Sequence, residues 1–127
     1  MVVHATTARV RDKSSAVLDR TLLALSDPTR RRVVDLLRRQ PQRAGDLAEA
    51  LAISAPRLSR HLRQLRRCGL VEDLGHESDA RVSMYRLRPE PFTRLREWLD
   101  EVEAFWTAEL ASFKAHVEGA HPRRRRP

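Results

Sequence analysis

A chain of 127 residues, 33% charged and 41% hydrophobic, has room for one modest core and its tails. Twenty-five Lys and Arg against 17 Asp and Glu give a formal net charge of +8, which excludes an acidic solvating tail and points to a polyanionic partner. No stretch reaches the roughly 20 apolar residues of a membrane span, and a single cysteine, Cys68, makes neither an intrachain disulfide nor, by itself, a zinc site.

Residues 1–14 show no hydrophobic period and no apolar core of signal-peptide length, so they are expected to form an irregular tail on a protein kept in the reducing cytoplasm. Between this tail and a basic one at 119–127, the pattern predicts five helices and one hairpin in a single domain, residues 15–118. The first helix, 15–26, places Val17, Leu18, Leu22 and Leu25 on one face. Asp27 then caps a second helix whose first position, Pro28, loses nothing by lacking an N–H. Val33, Leu36 and Leu37 point inward there, Arg30, Arg31, Arg32, Arg38 and Arg39 outward, and Pro41 ends the helix. A short third helix, 44–52, buries Leu47 and Leu51.

Ile53 and Ser54 make a tight joint, with Ser54 capping a fourth helix and Pro56 tolerated in its first turn. Leu58, Leu62 and Leu65 form its buried stripe, Gly69 supplies a left-handed C′ position, and Leu70 gives the apolar contact beyond it. Strand signals at 71–74 and 81–87 flank a polar turn and predict a hairpin. A final helix, 91–118, carries Phe92, Leu95, Leu99, Val102, Trp106, Leu110, Phe113 and Val117 at near-heptad spacing, widened by Trp98 and Phe105.

The stretch 46–71 is the most informative. A short helix, a tight joint and a second capped helix make a helix-turn-helix. From Ser54 to Val71 the sequence holds Arg57, Arg60, Arg63, Arg66 and Arg67 and no acid. With three leucines pinned to the core, Ser54, Pro56, Arg57, Ser59, Arg60, Arg63, Gln64 and Arg67 are expected to be offered to DNA. His61, at the margin of the stripe, is expected to be structural or to touch phosphate. Arg forks to guanine and Gln pairs with adenine in the major groove. The hairpin directly after this helix is expected to act as a minor wing, with Arg81 at a groove or phosphate and with Glu77 and Asp79 at its tip opposing deep insertion.

This order of segments resembles the ArsR-type winged-helix repressors. Residues 24–30, Ala-Leu-Ser-Asp-Pro-Thr-Arg, are similar to the segment before that family's second helix, and 46–51, Asp-Leu-Ala-Glu-Ala-Leu, to its first reading helix. Ser59-Arg60-His61-Leu62 with Leu65, then Gly69-Leu70-Val71, resembles the recognition helix and its exit, and Tyr85-Arg86-Leu87 the second wing strand. The resemblance implies a mainly α fold with a small β-hairpin, a winged helix-turn-helix of five helices plus wing. It also implies a homodimeric bacterial repressor of palindromic operators, often its own.

The departures narrow the expectation. Arg43 and Gly45 stand where metal-sensing members often carry paired cysteines, and the last helix offers only His116 and Glu118, with His121 just beyond. No metal site and no cofactor are therefore expected. Ala55 replaces a position that is often polar in the family. Cys68 lies beside Arg66 and Arg67, which favour thiolate, but reads as a small filler. No nucleophile–base pair, glycine-rich phosphate loop or carboxylate cleft is present in the sequence, so an enzyme is not expected.

Dimerisation is assigned to Leu18 and Leu22 of the first helix and to Phe92, Leu95, Leu99, Val102, Trp106, Leu110 and Phe113 of the last. From Phe92 to Val117 that stripe runs roughly 39 Å, more than a core of this size covers. Residues 91–118 carry six acids and three bases, a net −3, leaving +11 for the rest. The sequence thus predicts a sequence-specific regulator, probing duplex DNA as a homodimer away from any membrane. Whether a small-molecule inducer exists stays open. A redox or metal sensor of the same fold and a nonspecific architectural DNA binder are the alternatives.

Overall fold

A computed structural model describes residues 2–75 and 83–120, and the side chains of 12–75 and 83–119. Helix α1 spans Val2–Ala24, α2 Pro28–Leu37, strand β1 Gln42–Arg43, α3 Ala44–Leu51, α4 Ala55–Arg67, β2 Val71–Gly75, β3 Met84–Leu87 and α5 Pro89–Ala120. Among the described residues these are the five expected helices with a small antiparallel sheet of order β1-β3-β2.

Several boundaries differ from expectation. Residues 2–14 are helical instead of forming an irregular tail. No Gly or Pro occurs before Pro28, so nothing in the chain stops the helix from propagating, each added residue gaining one hydrogen bond once a turn exists. The chain also divides into two compact units, residues 1–95 and 96–127, where one domain over 15–118 was expected. The final helix opens in the first unit and continues through the second, as a single element that starts at Pro89 and not at Pro91.

The first unit is held by Val33, Leu37, Leu47, Leu51, Leu58, Leu62, Leu65, Leu70 and Val71, all buried in one cluster with Ala24 and Cys68. Each fully buried aliphatic side chain contributes on the order of 1.5–3 kcal/mol. Leu25, Leu36, Ile53, Tyr85, Leu87 and Phe92 pack against this cluster. Caps fix where the helices begin. The Asp27 carboxylate accepts from the Arg30 backbone N–H at 3.0 Å, and Ser54 Oγ accepts from that of Arg57 at 3.3 Å. Arg30 is half-buried instead of outward-facing: its Nε donates to the Ala24 carbonyl at 2.8 Å, and Arg31 donates to Leu25 O at 2.6 Å. These two arginines are drawn in by carbonyls at the end of α1 that lack helical partners.

The Asp27 carboxyl is held below its ordinary 3.8, chiefly by the Arg30 N–H it accepts from, with the nearby His61 and Arg30 charges helping. A depressed folded value means that this stabilisation is present above 3.8 and is lost as pH falls through the lower folded value. Asp27→Ala is expected to cost about 0.5–2 kcal/mol at neutral pH. Urea unfolding at neutral pH and again below the carboxyl range measures both effects. In the alanine variant the acid-side loss of stability should shrink, and an undiminished loss would assign it to other carboxylates.

The joint between α3 and α4 rests on Ala52, whose φ of 55° and ψ of 45° are left-handed. Ile53 N–H donates to Ala48 O and Ala52 N–H to Glu49 O, both at 3.1 Å, so the end of α3 is closed by a Schellman-type pair of bonds. The end of α4 is closed in the same way. Gly69 has a φ of 82°, Leu70 N–H donates to Leu65 O and Gly69 N–H to Arg66 O, both at 3.0 Å. Glycine carries no Cβ penalty in this region, and alanine does. Ala52→Gly is therefore expected to raise stability by about 0.5–1 kcal/mol with no change of fold, read as a higher urea midpoint at constant slope.

The hairpin turn at 76–80, together with Arg81 and Val82, lies outside the described residues. In the ladder, Val71 faces Leu87, Glu72 faces Arg86 and Asp73 faces Tyr85, with a register irregularity before Gly75 meets Met84. Arg86 Nε donates to the Glu72 carboxylate across the two strands. Strand β1 was not expected from the sequence. It pairs Gln42 with Tyr85 and Arg43 with Met84, which makes β3 the central strand.

Candidate nucleic-acid interface

Helix α4 presents two opposite faces. Leu58, Leu62 and Leu65 are buried, and at 100° per residue Pro56, Arg60, Arg63 and Arg67 fall within about 50° of the opposite pole. Arg57 and Gln64 flank that pole on one side, Ser59 and Arg66 on the other. All eight are exposed, as are Ser54 and Ala55 at the start of the helix. The sequence fixes this arrangement because only leucines occupy the i, i+4, i+7 positions that must pack against the core.

The charges on the exposed face are nearly free. Among the described residues no carboxylate pairs with Arg57, Arg60, Arg63 or Arg67. Arg66 is the exception, lying 4.0 Å from Asp73 on β2. The sequence hid this pairing because the acid arrives from the wing and not from the helix. Burial and the Asp73 carboxylate together raise the Tyr85 hydroxyl above its ordinary 10.0, with Arg66 opposing them. Arg66, Asp73 and Tyr85 thus tie the wing to the recognition helix.

Two of the expected DNA residues have other work. Ser54 Oγ is engaged by the cap, accepting from the Arg57 N–H. His61 is half-buried, with Nδ1 4.0 Å from Asp27 at the start of α2, so it links two helices of the core. Arg81 lies outside the described residues.

Of the residues expected at a dimer interface, Leu18 is buried and Phe92 packs on the core cluster, so both spend apolar surface within the protomer. Leu95 and Val102 are half-buried, and Leu22 is exposed. The second unit exposes Leu99, Phe105, Trp106, Leu110, Phe113 and Val117, with Trp106 at 59% and Phe113 at 67%. Cys68 is buried at 7%. No group of three or more His, Cys, Asp and Glu is placed to hold a metal among the described residues. No described helix is long and apolar enough to cross a membrane.

A capped recognition helix with a bare cationic face, a short helix before it and a hairpin after it define a winged helix-turn-helix, a DNA-binding class. The pattern of the bacterial regulatory protein arsR family matches residues 27–73. Over 100 residues the chain is 38% identical to the HTH-type transcriptional regulator Rv2034 of Mycobacterium tuberculosis, covering 79% of this chain and 88% of that protein. It is 46% identical over 50 residues to the transcriptional repressor SdpR of Bacillus subtilis, covering 39% of this chain and 56% of SdpR. The structure of an ArsR-like transcriptional regulator from Rhodococcus sp. RHA1 superposes with a TM-score of 0.70 at 32% identity, covering 82% of this chain and 93% of that one. The chain belongs to the ArsR family. It is a transcriptional regulator of a DNA-binding family and not an enzyme.

Proposed function

We propose that this regulator is a repressor that binds a pseudo-palindromic operator as a homodimer, laying α4 in the major groove of each half-site. The observation that carries this reading is the acid-free exposed face of α4, with Arg57, Arg60, Arg63, Gln64 and Arg67 held outward by three buried leucines. Arg60, at the centre of that face, reaches furthest toward base edges, and Arg63 and Arg67 serve base or phosphate. The exposed apolar face of the second unit supplies the dimer contact. Two-fold symmetry then sets the recognition helices about 34 Å apart, one turn of duplex.

Selection from a pool of random duplexes tests the reading. The expected result is enrichment of one inverted repeat. Enrichment of nothing, with equal affinity for any duplex and a steep salt dependence, would replace it with architectural binding.

A further inference from the structure

A recess of about 490 Å³ opens in the first unit where α1, the end of α4 and the start of α5 meet. Four arginines line it, Arg20, Arg66, Arg67 and Arg88, against one carboxylate, Glu90. Arg66 and Arg88 have acidic neighbours only at the limit of ion pairing, Asp73 at 4.0 Å and Glu90 at 3.9 Å. Among the described residues no carboxylate pairs with Arg20 or Arg67. Val17 and the buried Cys68 and Pro91 complete the wall.

A net excess of three positive charges around one concavity concentrates positive potential inside it. The size is that of a small-molecule site, about 300–1,000 Å³. We propose that this recess binds a small organic anion with a phosphate or carboxylate head and a short apolar body, and that the bound anion weakens DNA binding. The head is held by Arg20 and Arg67, whose planar guanidinium forks match either anion. The body lies against Val17 and Pro91. Arg67 belongs both to this recess and to the exposed face of α4, so an anion that holds its guanidinium withdraws it from DNA. The coupling is reciprocal, DNA weakening the anion by the same factor.

The release half of this inference rests on α4 being the DNA-contacting helix. The binding half does not. Phenyl phosphate, benzoate and inorganic phosphate are titrated calorimetrically into the full chain without DNA. Expected is saturable 1:1 binding of phenyl phosphate or benzoate with a dissociation constant of about 1 mM or tighter, and weaker binding of inorganic phosphate, which has no apolar body. Arg20→Ala, at an exposed helical position where alanine is well tolerated, should weaken that binding about 10-fold or more. A lack of saturation, or binding unchanged in Arg20→Ala, overturns the site.

The tighter of the two ligands is then added to the selected duplex assay. Expected is about 5-fold or greater loss of DNA affinity, abolished in Arg20→Ala. Saturable binding with DNA affinity unchanged overturns the release half alone. Failure of the unliganded protein to prefer any duplex overturns the operator reading and leaves the anion result standing.

Discussion

Replacing Arg60 and Gln64 together by alanine is expected to weaken binding to the selected operator by on the order of 2–6 kcal/mol per half-site. A bidentate base contact contributes roughly 1–3 kcal/mol, and because the two residues are neighbours one turn apart on α4, the combined loss departs from the simple sum of the single ones. Both side chains are exposed, so the core stays intact and the loss reports recognition. The pattern of the loss is as informative as its size. Each single variant should relax preference at one base pair per half-site, whereas Arg63→Ala, if it touches phosphate, should weaken all sequences alike and flatten the salt dependence by about one unit per half-site. Electrophoretic mobility assays on the operator and on single-position variants measure this. Unchanged affinity and preference in the double variant would remove α4 from the reading role.

The second large effect is expected at the second unit. Trp106→Glu combined with Phe113→Glu places two carboxylates on a face that now offers only apolar side chains at those positions. Glutamate is a good helix former, so the helix itself is retained. In sedimentation at micromolar concentration the wild type should run as a dimer and the variant as a folded monomer. The loss of tethering should cost the full operator about 10²–10⁴-fold in apparent affinity, with single half-site affinity unchanged. A wild-type monomer that binds one half-site with full strength would end the dimer proposal.

Much of the first unit was legible because its signals are local. Asp27-Pro28, Ser54 and Gly69-Leu70 each satisfy or close a helix end within a few residues, and the structure places each in that role. The leucine stripe of α4 was equally legible, since 3.6-residue spacing alone decides which positions are buried. What the sequence concealed is non-local. Strand β1 is two residues long and exists only because Tyr85 and Met84 arrive from the hairpin. Arg30 and Arg31 read as surface charge until the end of α1 is seen beside them. The partnership of Arg66 with Asp73, and the gathering of Arg20 and Arg88 around Cys68, likewise need the third dimension. The length of α1 was missed for a different reason: helices propagate through stretches with no amphipathic period when nothing in the sequence breaks them.

The placement of β3 at the centre of the sheet has a consequence for how crowded copies of this protein behave. An open three-stranded sheet leaves two edges, and unpaired edges are templates for strand addition and aggregation. Here one edge is only Gln42–Arg43, too short to recruit a neighbour and carrying a positive charge. The other is broken in register before Gly75, where the Gly75 N–H donates to the Asp73 carboxylate at 2.7 Å instead of standing open. The central strand is paired on both sides at Met84 and Tyr85. Among the described residues, protomers brought together on one stretch of DNA therefore meet without a regular edge longer than Val71–Asp73 to seed a cross-strand ribbon.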